Sequence, residues 1–419
     1  MVSSHNKTKL YRVTIRLLSP TILTKKYRRN IYEAISGQIY LPSRAIRGAL
    51  LEAFAREISV RYGIIRKKCF SPESEEELCK KLVEEIEDPF LRIQPAYPIY
   101  RNIKAEPAGP FVFRRKMLLE RESEVSSHSG NSSRELFSCI KLSELLGAIS
   151  LEELIKKIPS VKEGYPKTLL GKLIIVNNSK IEEVDIPIMR HESTAINKIY
   201  YKAEERMLFS YETLPAGLQF RTTIFDGLGF LAYFFEKLEL GNEIEVFIGR
   251  GRTRGFGRAI MRFNELHIEE FIERRAKELE KIGIRSTCAL KALSPIIRIT
   301  DGLHSRPYLE KIEYPPNDIK SVCPDIPEAT LNLRKLGAED KELWMIFGDL
   351  IKLKGWSTSY RGSGPIPSYY AGMPGNLYVY EISSSDPLKA LSFMEITGTD
   401  EFSAVGYNWF KVVDKEEVI

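Results

Sequence analysis

The chain has 419 residues, room for two or three domains, with 43% hydrophobic residues and a net charge of +6. No run approaches the roughly 20 apolar residues of a membrane span, and the opening MVSSHNKTKLYR lacks the apolar centre of a secretory signal. The five cysteines (Cys69, Cys79, Cys139, Cys288, Cys323) are scattered without a C-x-x-C pair, which speaks against a zinc ribbon or a disulfide framework and for a reducing cytoplasm.

The charge is uneven. Residues 1–68 hold fifteen Lys and Arg against three Glu, a net of +12, and the remainder is net −6. A local excess of this kind favours a polyanion partner such as nucleic acid. Basic tails also serve solubility alone, but this segment is patterned like folded structure.

In YRVTIRLLSP, Tyr11, Val13, Ile15 and Leu17 alternate with Arg12, Thr14 and Arg16, a half-buried strand ended by Pro20. A basic loop with Lys25, Lys26, Arg28 and Arg29 and a short strand QIYLP follow. Ser43 is expected to cap the helix SRAIRGALLEAFAREISVRYG, whose Ile46, Leu50, Phe54 and Ile58 share one face. Arg44 and Arg47 in its first turn oppose the helix dipole; either they are solvated or an anion at the helix start compensates. Residues 71–89 are acidic and helical in pattern, more a solvated face than a site, and 120–135 read as a mobile loop. Both fall in an insertion placed between about 66 and 185.

A strand through Leu218, Phe220, Thr222 and Ile224 resumes the pattern, followed by the apolar helix GLGFLAYFFEKLELG and the strand EIEVFIG. After a Gly/Arg loop come a strand at 258–263 and a helix at about 267–282. This order fits split β-α-β units on an antiparallel sheet, an α+β fold. An internal echo marks a second domain: RLLSPTI near the start resembles KALSPII at 291–297. Gly406-Tyr407-Asn408 then stands where Gly255-Phe256-Gly257 stood, without the arginines.

The loop itself is GRGRTRGFGR, residues 249–258, with Gly249, Gly251, Gly255, Gly257 and Arg250, Arg252, Arg254, Arg258. It is neither a dinucleotide fingerprint, since Arg254 replaces the third glycine, nor a P-loop, since no Gly-Lys-Ser/Thr follows. Glycine permits positive φ and close approach to main-chain amides, and the arginine fork suits phosphate. A polyanion lying against the main chain fits this pairing; a hairpin with solvated arginines is the plain alternative.

These stretches, with RHESTAINKIYYKAEERMLFSYETLPAGLQF at 190–220, resemble the RAMP superfamily of CRISPR-associated proteins. The four ordered signatures span roughly 280 residues. The resemblance implies an α+β fold of two ferredoxin-like (RRM-like) RAMP domains: 1–285, with the insertion and the Gly/Arg loop, and a degenerate 286–419. The layout is most similar to the subunits of type III effector complexes that cap the five-prime repeat-derived tag of CRISPR RNA, in particular the Csx-group RAMP protein of type III-D systems. Such subunits are non-catalytic and cytoplasmic. They contact the large polymerase-like subunit on one side and backbone RAMP subunits on the other.

On that resemblance, residues 249–258 become an RNA-backbone contact, and Ser43, Arg44 and Arg47 a phosphate site at the helix start. His191 and Thr194 line the same groove, which Lys25, Lys26, Arg28 and Arg29 extend. Phe256 is a candidate stacking residue or a buried anchor of the loop. No cofactor or metal is expected. Catalysis would need a histidine, as in metal-independent RNA processing, or an aspartate with a divalent metal, as in target cleavage. Of His5, His128, His191, His267 and His304 only His191 lies in a signature. Asp185, Asp226 and Asp301 lack a carboxylate cluster and read as turn or surface residues. A CRISPR RNA-processing endoribonuclease and a target-cleaving backbone subunit remain as alternatives.

Overall fold

The computed structural model describes residues 8–23, 40–114, 136–158, 167–177, 180–196, 203–300, 304–338, 341–359 and 362–415. The chain divides into two compact units, one of residues 1–104 and 185–267, the other of 105–184 and 268–419. Both are α+β with antiparallel sheets.

The first unit is built on β1 (Lys9–Leu17), α1 (Ser43–Tyr62), α2 (Glu77–Glu87), β2 (Tyr97–Tyr100), the hairpin of β3 (Met189–Ile196) and β4 (Ala203–Thr213), β5 (Gln219–Asp226), α3 (Phe230–Lys237), β6 (Glu243–Phe247) and β7 (Arg258–Leu266). Its main sheet runs β6-β7-β1-β5-β2. The alternation of β1 works as expected: Tyr11, Val13, Ile15 and Leu17 point into one core with Ile46, Leu50, Phe54 and Ile58 of α1 and Leu231 and Phe234 of α3. Phe54 stacks on Phe234 with centroids 4.7 Å apart. Pro42, not Ser43, occupies the cap position of α1, and Gly63 ends the helix at φ 67°.

Asp226 is fully buried rather than a turn or surface residue. Its carboxylate accepts the N–H groups of Phe230 and Leu231, each at 2.8 Å, and so starts α3. Burial outweighs these hydrogen bonds and pushes its pKa up to about 6.

The second unit holds α4 (Ile268–Lys281), β8 (Thr287–Ala292), β9 (Lys311–Tyr314), β10 (Ala329–Leu333), the hairpin of β11 (Leu350–Ser359) and β12 (Gly362–Gly372), β13 (Leu377–Ser384), α5 (Pro387–Thr397) and β14 (Phe410–Val412). Its sheet runs β9-β10-β13-β8-β14. Among the described residues, 105–184 add two small three-stranded sheets and two short helices.

The division falls elsewhere than at 285, and ion pairs say why. Arg275 of α4, 7% exposed, bonds Glu395 of α5 at 2.7 and 2.8 Å and Asp414 at 2.6 Å. That ties α4 to the second unit. Glu106 meets Lys291 of β8 at 3.0 Å and Lys411 of β14 at 2.9 Å, tying 105–184 there as well. Burial alone would raise the Glu106 carboxyl, but the two ammonium groups hold it well below the usual carboxylate range. Residues 66–104 stay with the first unit, because Cys69, Leu78, Cys79 and Leu82 lie in its core. Cys69 and Cys79 are joined in a disulfide, which their wide spacing had not suggested.

The repeated Leu-Ser-Pro is a hydrogen-bonded clamp. In the first unit the Ser19 hydroxyl accepts the N–H of Arg258 at 2.9 Å, and the Pro20 carbonyl accepts that of Gly257 at 2.9 Å. In the second, Ser294 accepts the N–H of Trp409 at 2.9 Å and Pro295 that of Asn408 at 3.1 Å. The clamped residues share positive φ, 83° at Gly257 and 54° at Asn408. Strands β1 and β8, which lead into the two clamps, both lie between two antiparallel neighbours. Among the described residues no helix is long and apolar enough to cross a membrane.

Candidate nucleic-acid interface

The loop between β6 and β7 is folded tightly on itself. Residues Arg252–Arg254 form one turn of 3-10 helix between Gly251 and Gly255, both at positive φ. Two glycines are required by the chain's own backbone. A Cβ on Gly249 would lie 2.2 Å from the carbonyl oxygen of Ile22, and one on Gly257 2.1 Å from that of Ile248. Around Gly255 there is open space instead.

Most amides of the loop are spent internally. The N–H of Arg250 goes to Ile22, those of Arg254 and Phe256 to Gly251, that of Gly255 to Arg252, and those of Gly257 and Arg258 to the clamp. At Gly249 and Gly257 the expectation that glycines open the main chain to a ligand is corrected: they let the loop pack against the carbonyls of Ile22 and Ile248. What the loop presents outward is side chains. Arg250, Arg252, Arg254 and Arg258 are all exposed. Arg252 hydrogen-bonds the Gly249 carbonyl at 3.2 Å, and Arg258 pairs with Glu245 at 2.7 Å.

Phe256 is half-buried, against Gly251. Its ring meets that of His191, centroids 5.7 Å apart at 81°. The structure thus brings the central signature to the loop. His191 Nε2 is buried and has no hydrogen-bond partner. Thr194 stands further along β3, opposite Leu208.

The helix-start group does not assemble at the surface. Ser43 is 2% exposed and its hydroxyl has no hydrogen-bond partner. Arg47, 8% exposed, reaches the Leu91 carbonyl at 2.5 Å and Glu85 of α2 at 3.4 Å. Burial lowers its pKa to about 10 against the pull of Glu85. Arg47 is a core residue under α2, and only Arg44 of this trio is exposed. Lys25, Lys26, Arg28 and Arg29 lie outside the described residues, as do His5, His128 and Asp301. His267 and Asp185 are exposed. Among the described residues no three His, Cys, Asp or Glu side chains gather to hold a metal ion.

Residues 14–260 match the family model described as the RAMP superfamily, which is more than half the chain. The chain belongs to the RAMP superfamily. No curated protein sequence matches it. Among solved structures it is similar to a chain of a type III-B Cmr-beta complex bound to cognate target RNA, with 12% identity, 95% of this chain and 96% of that one covered, and a TM-score of 0.42. A CRISPR associated protein Cas6 gives 9% identity, 97% and 99% coverage and a TM-score of 0.30. Oligomeric Cmr4 from Pyrococcus furiosus gives 11%, 61% and 98%, and 0.25.

Proposed function

We propose that this RAMP protein is a non-catalytic, cytoplasmic subunit of a type III CRISPR RNA-guided effector complex. It holds the five-prime repeat-derived tag of CRISPR RNA and bridges the large polymerase-like subunit to the backbone RAMP subunits. The observation that carries the reading is the loop: four exposed arginines on a turn that its own glycines and the Ser-Pro clamp hold in one conformation. Preorganised guanidinium forks suit phosphate, and such contacts position RNA rather than read its sequence. Gly255 leaves open space beside them. The strand orders support two ferredoxin-like units, each with its first strand central and a long hairpin before the next central strand.

RNA recovered with the protein from its host tests this reading. Sequencing is expected to return guide RNAs sharing a repeat-derived five-prime end, with the large and backbone subunits in the same fraction. Recovery of no RNA, or of unrelated RNA, contradicts it.

One observation favours a second reading. The partnerless Nε2 of His191 sits beside the loop, where a general base of a processing endoribonuclease would act. Metal-independent cleavage of repeat RNA, lost in His191→Ala, would establish that alternative; intact repeat RNA supports the non-catalytic one.

A further inference from the structure

The face of the first sheet that looks away from α1 carries a second basic site. In the register of the sheet Thr14 lies opposite Arg221 of β5 on one side and Arg262 of β7 on the other. Arg12 and Arg16 are its neighbours two residues away on β1, on the same face. Four guanidinium groups therefore surround one threonine, each at a Cβ spacing of about 5–7 Å from it. Arg262 is paired with Glu243 at the sheet edge. Arg12, Arg16 and Arg221 have no carboxylate partner among the described residues, and Arg221 Nε is shut from solvent without a hydrogen bond. Burial and the like charge of Arg12 both lower the Arg221 pKa, so this field is held together against its own repulsion.

Natural sheets place opposite charges across strands, because like charges there destabilise. A field left uncompensated is one that an anion completes. Its surroundings say which anion. Thr223, Asn264 and Gln219 share the face at the registers beside the arginines and are hydrogen-bonding groups, while Ile260 stands opposite Arg16 and the buried Tyr97 opposite Arg221. Protein–protein interfaces have apolar, charge-depleted centres, whereas surfaces that hold nucleic acid are polar and strongly basic. At the far end of the strands the face closes over Leu10, Phe225 and Arg92, all fully buried. The basic field therefore runs only toward Arg16, at the end where Arg258 and the loop begin.

We propose that this sheet face binds the phosphate backbone of single-stranded RNA through Arg12, Arg16 and Arg221, as a site separate from the Gly/Arg loop. The inference rests on the reading of the chain as an RNA binder but concerns a different surface. Its test is the binding of a labelled oligouridine to the full chain over a salt series. Each lost phosphate contact lowers the slope of log K against log salt by about 0.7 for a single strand. The double variant Arg12→Gln/Arg221→Gln is expected to lower it by about 1.4, and Arg16→Gln by about 0.7. The melting temperature should be unchanged or raised, since repulsion is relieved. The exposed Arg16 keeps the test informative should the double variant fold poorly. Unchanged slopes in folded variants overturn the proposal, and more so if the double variant instead loses a co-purifying acidic subunit. Sheet variants that weaken binding while loop variants do not would sustain this site and sink the loop. The reverse would sink this site alone.

Discussion

The two clamped turns are the same device put to different ends. Each has a Leu-Ser-Pro whose serine and proline hold a positive-φ residue and its successor. In the first unit those two residues are Gly257 and the exposed Arg258, at the end of a turn that projects arginines. In the second they are Asn408 and Trp409, both fully buried. Asn408 accepts the Ile297 N–H at 2.8 Å and donates to the Ile297 carbonyl at 3.0 Å and to Asp400 at 2.7 Å. Trp409 donates to the Ser403 carbonyl at 3.0 Å. The second turn is sealed by buried side chains; the first is closed mainly by its backbone and the Ser19 hydroxyl, and its four arginines stay exposed. The sheets follow suit. Basic groups of the second, Lys291 and Lys411, are matched by Glu106, whereas Arg12, Arg16 and Arg221 of the first meet no acid among the described residues. Charge that is paired stabilises its fold, and charge that is left over marks a surface for a partner.

That contrast can be broken from either side. The largest effect is expected in the second unit: Glu106→Ala leaves the buried Lys291 ammonium unpaired and Lys411 with only Asp414 at 3.5 Å, and should destabilise by about 3–5 kcal/mol. Thermal melts check this, and protein that stays folded should bind RNA as before. Gly257→Ala sets a Cβ against the Ile248 carbonyl at positive φ, so a loss of roughly 1–3 kcal/mol is expected. Asn408→Gly keeps the backbone but strips the Ile297 N–H and carbonyl of their partner, with a similar loss of about 1–3 kcal/mol by denaturant unfolding.

Asp226 gives a pH signature confined to the first unit. Its carboxyl has a higher pKa folded than unfolded, so the folded state holds the proton more tightly. This group's contribution is full below its unfolded value near 4 and is lost as pH rises through about 6. Wild-type protein should therefore lose stability relative to Asp226→Asn across that interval; a parallel pH profile for the two would contradict the assignment. Arg252→Ala, at the small end, should leave the melt within about 0.5 kcal/mol of wild type.

Much of this frame was legible in the residues. The alternation of β1, the apolar face of α1 and the echo of Leu-Ser-Pro are local patterns, and local patterns survive folding. What escaped was set by residues distant in sequence. Helical spacing put Arg47 in the first turn of α1, but nothing local reveals that Glu85 of α2 lies over it. The unit boundaries follow from Arg275 meeting Glu395 and Asp414, and Glu106 meeting Lys291 and Lys411, pairs separated by more than a hundred residues. Arginine neighbours suggest glycines that make room for RNA, while the close contact is with Ile22 and Ile248. Arg12 and Arg16 stood in plain view on β1; Arg221 and Arg262 join them only through the register of the sheet.

The most direct test of the account is the salt dependence of RNA binding by a loop variant, Arg250→Ala/Arg252→Ala/Arg254→Ala, beside wild type. If the first turn holds RNA phosphates, the slope of log K against log salt should fall by up to about 2, with an unchanged melt. A wild-type slope in the folded variant would make the loop a solvated hairpin and contradict the claim that its exposed arginines hold RNA.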